Sequence, residues 1–150
     1  MKKVLITLMI LVLATTLVGC GSSYGKIKSA FEKEGYVEQE IKTGDEYKEL
    51  ELEMKEKGIE VSVHYLKKDA LLGNKDVVIL EFKNTDGIKA ILTNDNDVAD
   101  AMKGLLELLD TTYTEIYDAL VEVGFVNGNC MFVVSDVLYI DETIRIFKNA

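Results

Sequence analysis

The stretch VVILEF at residues 77–82 decides the fold that this sequence predicts. Its first four residues are aliphatic without a break, and β-branched side chains of this kind favour an extended strand. A strand that is apolar on both of its faces lies in the interior of a structure, where other elements cover each face. We therefore expect residues 77–82 to form a central strand of a sheet.

A second strand is predicted at residues 59–66, where apolar and polar side chains alternate strictly. The apolar set is Ile59, Val61, Val63 and Tyr65, and the polar set is Glu60, Ser62 and His64. A period of two puts each set on its own face of a strand. His64 is the single histidine, and its neighbours imply no acid–base partner, so we expect it to face solvent. Residues 67–76 are interpreted as a polar connection.

Shorter strands are predicted at residues 36–41 and 130–134. Residues 125–130 contain Asn127 followed by Gly128, a pair that favours the type I′ turn of a tight hairpin. Residues 88–92 fit a helix or a strand equally well. The count of strands is therefore four to five.

Helices are indicated where apolar residues recur at intervals of three and four. The predicted helices cover residues 24–34, 45–57, 97–109 and 112–123, and a last helix is capped by Ser135 or Asp136 and turns Val137, Ile140, Ile144 and Phe147 inward. One long kinked helix over residues 97–123 is the alternative to the third and fourth. The sequence thus predicts an α+β fold, an antiparallel sheet of about four to five strands packed under helices, in a single domain at residues 24–150.

An internal repeat is suggested by the likeness between residues 24–37 and residues 113–126. Five of the fourteen positions are identical, and they share a tyrosine, an isoleucine, an alanine, a glycine and a valine in the same order. Two α-β-β-α half-repeats, with residues 45–66 inserted in the first, are one interpretation. The other is that any amphipathic helix that ends in glycine and an aromatic residue gives this likeness.

The first twenty residues have a different character. Lys2 and Lys3 precede an uncharged apolar run over residues 4–17, and residues 17–20 read LVGC. This segment resembles the signal peptide of bacterial lipoproteins, whose lipobox ends in a small residue and cysteine. The resemblance implies cleavage between Gly19 and Cys20, a diacylglyceryl group on the Cys20 sulfur, and removal of residues 1–19. A permanent transmembrane segment is the alternative, although the run is shorter than the ~20 residues that a spanning helix needs.

The mature chain implied by this resemblance is acidic. Removing residues 1–19 from 150 leaves 131, a normal length for one domain. The mature chain then has 15 of the 17 basic residues and all 26 acidic residues, which gives a net charge of −11. Such a charge repels nucleic acid and anionic lipid, so we expect no nucleic-acid partner and a domain that stands off the bilayer. The resemblance implies that residues 20–23 are the lipidated cysteine and a short tether, which would reach ~10 Å.

Residues that could carry chemistry are sparse. With Cys20 as the lipid site, Cys130 has no intrachain partner, and its place on the apolar face of a strand predicts a buried, inert thiol. The oxygen-rich cluster at residues 94–100 fails the spacing of a calcium-binding loop and is interpreted as helix capping. The acidic run in residues 45–57 is interpreted as a solvated helix face. We therefore predict no catalytic residue, no metal site and no cofactor.

These observations favour a small lipoprotein anchored through Cys20 to the outer face of the cell membrane. We expect it to act as a binding or interaction module for an envelope protein or a small ligand. The alternative is an extracytoplasmic hydrolase that acts on cell-envelope material through two carboxylates ~5–9 Å apart, and a third hypothesis is an accessory subunit of a transporter or secretion complex. The resemblance implies a bacterial source, and the short tether with the lysine-rich composition favours a Gram-positive one.

Overall fold

The computed structural model describes residues 23–71, 73–93, 100, 102, 104, 116–134 and 137–150. Within these residues the chain forms five strands and five helices. In chain order they are α1 (Ser23–Lys33), β1 (Val37–Gln39), α2 (Glu46–Glu56), β2 (Val61–Ala70), β3 (Gly73–Phe82), α3 (Thr85–Thr93), α4 (Ile116–Val123), β4 (Val126–Asn127), β5 (Cys130–Val134), a 3₁₀ turn (Val137–Tyr139) and α5 (Ile140–Lys148).

The five strands form one antiparallel sheet in the order β1-β2-β3-β5-β4. Strand β3 lies at its centre, as the run at residues 77–82 predicts, and the aliphatic side chains from Val77 to Leu80 are at most 4% exposed. The predicted α+β class, with an antiparallel sheet of four to five strands packed under helices, is confirmed.

Helices α1 and α5 cover one face of the sheet, which we call the α1 face. Side chains of directly paired residues in antiparallel strands point to the same face, so His64, Ile79 and Phe132 share this one. Tyr24 of α1 stacks on His64. Phe147 of α5 packs against Phe132, with 5.0 Å between the ring centroids.

Helices α2 and α3 cover the opposite face, which we call the α2 face. Tyr65 and Val78 are paired on this side. Tyr47 of α2 packs against Tyr65 with 5.5 Å between the ring centroids. Gly87 of α3 lies so close to Phe82 that an added Cβ would be 2.9 Å from its ring. Both faces of β3 are therefore covered, which explains its unbroken apolar run.

Strands β2 and β3 form a hairpin that is longer than predicted. Their pairing runs without a gap from Val61 with Phe82 to Ala70 with Gly73. The prediction of a polar connection at residues 67–76 is therefore wrong. Polar residues continue both strands: Lys67 lies opposite Asp76, and the like charges of Lys68 and Lys75, which also lie opposite each other, are both paired with Glu142. Gly73 adopts a φ of +109° at the turn.

The helix–glycine–strand pattern of the suggested repeat occurs in both halves. Helix α1 is followed by Gly35 and α4 by Gly124, at φ +89° and +102°, a left-handed conformation that ends helices. The next residue, Tyr36 or Phe125, is buried and donates its backbone N–H to the last turn of its helix. The inserted strand β2 lies between β1 and β3, whereas β4 and β5 are neighbours.

Other boundaries differ from the prediction by a few residues. The ambiguous segment 88–92 belongs to α3, the strand predicted at residues 36–41 is reduced to β1, and the first helix begins at Ser23, the last residue assigned to the tether. The predicted hairpin at residues 125–130 is present, and Asn127 pairs with Cys130 across its turn. Whether residues 97–123 form one helix or two lies outside the described residues, apart from α4.

The proposed signal peptide, most of the 94–100 cluster and the capping residues Ser135 and Asp136 also lie outside the described residues. Within the part of the chain that the structure describes, no helix has the length and apolar character needed to cross a bilayer.

Candidate functional site

Three neighbouring strands place a histidine between two glutamates on the α1 face. The strand register pairs Glu38 with Leu66 and Glu81 with Ser62, which puts both glutamates on the same side of the sheet as His64. The Nδ1 atom of His64 lies 3.0 Å from Oε1 of Glu38, and its Nε2 atom lies 3.1 Å from Oε2 of Glu81. Each ring nitrogen therefore faces a carboxylate.

Helix α1 covers these three side chains on the α1 face of the sheet. The Tyr24 ring stacks on the imidazole, with 3.5 Å between the centroids and 13° between the planes. Its hydroxyl donates to Oε1 of Glu38, and Nζ of Lys28 donates to Oε2 of Glu38 at 2.6 Å. Tyr24 and Lys28 are one helical turn apart, so one side of α1 binds one carboxylate. We call Tyr24, Lys28, Glu38, His64 and Glu81 the His64 cluster.

The prediction that His64 faces solvent is wrong. Its side chain is 20% exposed, and both ring nitrogens are engaged. The alternation in β2 correctly separates His64 from the apolar set of that strand. What it cannot show is that a helix far away in sequence covers the polar side of the strand, and that two other strands supply partners.

Hydrogen bonds decide the charge of Glu38. Burial alone would raise the pKa of this carboxyl, but the hydrogen bonds from Lys28, Tyr24 and His64 together lower its pKa below the usual value. The pKa of Tyr24 moves in the opposite direction, because burial and the hydrogen bond to Glu38 raise it well above the usual value. The pair is thus an ionised carboxylate beside a neutral phenol that donates to it.

The count of donors restricts where protons reside in the cluster. A neutral imidazole has one N–H and an imidazolium has two. With a carboxylate at each ring nitrogen, His64 can donate to one of them as a neutral imidazole and to both as an imidazolium.

Cys130 lies beside the cluster, paired with Glu81 across β3 and β5. Its side chain is fully buried, as predicted from the alternation in β5. Burial, reinforced by the nearby charge of Glu81, raises the pKa of the thiol to about 12. A thiol with this pKa stays protonated at neutral pH and is a poor nucleophile.

Two grooves open next to the cluster along β2. The larger, of about 1000 Å³, is lined by α2, by the ends of β2 and β3 nearest to Glu81, and by Asn129. The smaller, of about 380 Å³, is lined by residues that include Glu38 and His64. Lys48 and Glu51 of α2 line both grooves, so the two meet at these side chains.

Glu51 connects α2 to the edge of β2. Its Oε1 accepts the backbone N–H of Val63 at 2.8 Å, and its Oε2 binds Nζ of Lys48. Burial alone would raise the pKa of Glu51, but these two hydrogen bonds lower its pKa. The interpretation of the acidic run in α2 as a solvated face is therefore wrong for Glu51, whose side chain is 18% exposed.

The start of α1 lies at the same end of the sheet as the larger groove. A Cβ added to Gly128 would collide with the side chain of Ser23, and the next residue, Asn129, lines the larger groove. Cys20 and Gly19, the predicted lipidation and cleavage residues, lie outside the described residues. Among those described, no group of three or more His, Cys, Asp and Glu side chains is placed to hold a metal ion.

Comparison of the chain with protein-family models, with curated proteins and with solved structures gives no match.

Sequence reasoning missed the partners of His64 because they come from three separate elements. One signal was available in the sequence, namely Glu81 in an otherwise apolar central strand. A charge at such a position is expensive to bury without a partner, and the single histidine lies in the neighbouring predicted strand. That reasoning leads to the contact of Glu81 with His64, but it does not lead to Glu38 or Tyr24.

Proposed function

We propose that this chain is a lipoprotein held at the outer face of a bacterial cell membrane by a lipid on Cys20, and that it acts as a binding module for an envelope protein or a small ligand. The lipobox at residues 17–20 supports the anchor. The two grooves beside the His64 cluster support the binding role, because Glu38 and Lys48 in their linings are held by hydrogen bonds before any ligand arrives.

The observation that carries the binding role is this pre-organisation. Lys48 is held by its ion pair with Glu51, and Glu38 is held by three donors. A site whose side chains are already ordered loses less conformational entropy when it binds. The grooves therefore present a fixed carboxylate and a fixed lysine, which fit a polar partner with both donors and acceptors.

The location of the larger groove supports a partner near the membrane. Ser23 is three residues from Cys20 and lies beside Gly128, next to the groove-lining Asn129. Three residues reach ~10 Å at most. A lipid on Cys20 would thus keep this end of the domain close to the bilayer surface.

The hydrolase hypothesis uses the same carboxylates and has less support. A general acid for glycoside cleavage needs a raised pKa, so that the carboxyl group carries a proton at working pH. The pKa values of Glu38 and Glu51 are both lowered by their hydrogen bonds. Ionised carboxylates with occupied oxygens suit binding better than proton donation.

The anchor is tested by the intact mass of the protein extracted from membranes, compared with a Cys20→Ala variant. The expected mass is that of residues 20–150 plus a diacylglyceryl group, and the variant lacks this form. An unprocessed chain of full length would mean that residues 4–17 serve as a membrane segment, and the proposed anchor would be rejected.

The binding role is tested by affinity capture from solubilised membranes of the source bacterium, with the full processed chain as bait. Lys48→Glu reverses a charge that lines both grooves and should abolish retention of the bound component. Lys33→Glu is the matched control, because this lysine is exposed at the end of α1. Equal retention by both variants, or no retained component at all, would contradict the proposal.

A further inference from the structure

Strand β2 has an open edge beyond the end of β1. Strand β1 pairs with residues 65–67 only, whereas β2 begins at Val61, and no other described strand lies on this side of β2. In an antiparallel sheet, successive residues direct their N–H and C=O groups to opposite neighbours. Val63 gives its N–H to Glu51 and not to β3, so Val63 and, two residues before it, Val61 face the open side.

The carboxylate of Glu51 occupies the place of a strand. It accepts the N–H of Val63 at 2.8 Å, where a neighbouring strand would present a carbonyl oxygen. Val61 faces the same way and pairs with no strand on that side among the described residues. Val61 lines the larger groove and Val63 the smaller one. The two grooves, which we together call the trough, lie on either side of the Glu51 side chain, which crosses from α2 to the edge of β2.

We propose that this trough binds an extended segment of a partner protein, which adds to β2 as a short strand in line with β1. This inference rests on the proposed function, since it names the class of partner for the same grooves. Recognition comes from main-chain groups, because the outward N–H and C=O groups at Val61 and Val63 pair with alternate residues of any extended peptide. The incoming carbonyl replaces the Glu51 carboxylate on Val63.

Side chains of α2 select the sequence of that segment. Leu52 is 55% exposed and lines the larger groove together with Lys55. Lys48 and Lys83, the other lysines of this lining, are paired with Glu51 and Glu60, whereas Lys55 forms no ion pair with any described residue. We therefore expect a segment that turns one apolar and one acidic side chain towards α2.

The open edge is short, so the contact is weak by itself. Two outward-facing residues offer few main-chain hydrogen bonds. Two proteins anchored in the same membrane, however, meet at a high effective concentration, and a weak contact then suffices. The position of the trough near the start of α1 fits a partner segment close to the bilayer.

The test uses a library of random peptides of about ten residues, selected on the full processed chain. Each selected peptide is then synthesised with an N-methyl group at one position at a time, and its binding is measured by fluorescence anisotropy. Strand addition predicts that N-methylation at alternate positions weakens binding by at least about tenfold, the loss of one or two hydrogen bonds. Methylation at the positions between them should have little effect.

Val61→Pro and Val61→Ala form a matched pair for the same measurement. The N–H of Val61 faces away from β3, so proline removes no hydrogen bond of the β2–β3 ladder, and the first residue of a strand accepts proline. We expect Val61→Pro to weaken peptide binding about tenfold more than Val61→Ala, which keeps the N–H. Glu51→Ala, which exposes the N–H of Val63, should strengthen binding.

Failure of this inference is distinct from failure of the proposed function. Equal binding by Val61→Pro and Val61→Ala, N-methyl effects without alternation, or a library that yields no binder would overturn strand addition. If wild type and Val61→Pro capture the same component from membranes equally well, strand addition would be overturned, whereas the proposed role as a binding module would stand. Absence of any captured component would overturn the binding module itself.

Discussion

Glu38 accounts for much of the structure of the His64 cluster, because its two oxygens join three elements. Tyr24 and Lys28 reach it from α1, and His64 reaches it from β2. Burial of a carboxylate is unfavourable, and these donors more than offset it, so the pKa of Glu38 is lowered. The carboxylate thus remains charged at mildly acidic pH and ties β1 to its neighbours.

The lowered pKa of Glu38 predicts a pH-dependent contribution to stability. A carboxyl group whose pKa is lower in the folded than in the unfolded state stabilises the fold above the unfolded value of ~4.3, and this contribution is lost as the pH falls through the folded pKa. Glu38→Gln should therefore lower the free energy of unfolding by about 1–2 kcal/mol at neutral pH and by much less in strong acid.

Urea unfolding of wild type and Glu38→Gln at both pH values measures this difference. Glu53→Gln is the control, because Glu53 pairs with Lys57 at 2.6 Å on an exposed surface, where such pairs contribute under about 1 kcal/mol. An equal loss for Glu38→Gln at both pH values would show that the charge of Glu38 is irrelevant to stability.

Cys130 provides a second test at the residue scale. Because burial and Glu81 raise the pKa of its thiol to about 12, the native protein has almost no thiolate at mildly alkaline pH. We expect iodoacetamide to modify Cys130 at least about a hundredfold more slowly in the native chain than in urea, where the thiol pKa returns to ~8.5. Mass spectrometry of timed samples gives both rates, and similar rates would mean that the thiol is accessible.

The residue scale also shows where prediction from the sequence ends. The alternation in β5 is sufficient to predict that Cys130 is buried, since the thiol lies on the apolar face of its own strand. His64 differs, because its environment depends on Tyr24, Glu38 and Glu81, which reach it only after β1, β3 and α1 have assembled. Local periodicity reports which side of a strand a residue occupies, and it contains no information on what covers that side.

At the scale of elements, prediction succeeds where one periodic signal spans a whole element. The apolar run of β3 and the helical stripe of α1 are such signals. Helix α1 begins and ends within one residue of the predicted bounds, and β3 contains the whole predicted strand at residues 77–82. The outer half of the β2–β3 hairpin has no apolar periodicity, because its strand residues beyond Leu66 and before Val77 are mostly charged or polar. Its strands were consequently predicted too short.

The two helix-ending glycines give a comparative prediction at this scale. Both have positive φ, which an alanine adopts at a cost of about 1–3 kcal/mol. A Cβ on Gly35 would meet only Lys68 at 3.7 Å, whereas a Cβ on Gly124 would lie 3.0 Å from Lys148 Cδ and 3.3 Å from Ile144. We expect Gly124→Ala to destabilise the protein by about 1 kcal/mol more than Gly35→Ala.

Chemical denaturation of the two variants measures that comparison. Gly25→Ala is a useful control, because an added Cβ meets nothing within 4 Å and alanine favours the helix, so its stability should be unchanged or increased. Equal losses for Gly35→Ala and Gly124→Ala would mean that α5 adjusts to the extra methyl group.

At the scale of the whole molecule, the hairpin and the start of α1 define opposite ends. Ser23 lies beside Gly128, at the end of the sheet where β3 finishes at Phe82. The β2–β3 hairpin extends from this end over ten paired residues to Leu71, which is fully exposed. The sequence predicts the anchor and the sheet separately, and only the fold relates the start of the domain to one end of the sheet.

This relation predicts the orientation of the lipidated protein on a bilayer. Ten strand residues span about 30 Å, so Leu71 should lie roughly that much farther from the membrane than Lys83, which lines the larger groove.

The buried thiol of Cys130 does not compete for a label, so Lys83→Cys and Leu71→Cys can each carry one fluorophore. In vesicles that contain a headgroup-attached quencher, we expect strong quenching at position 83 and little at position 71. The same labels on a chain that begins at residue 21, and so has neither the lipid nor the apolar run at residues 4–17, should be quenched at neither position. Equal quenching at both positions of the lipidated chain would mean that the domain lies along the membrane and would reject the predicted orientation. Stronger quenching at position 71 would mean that the domain is inverted, with the trough on the side away from the bilayer.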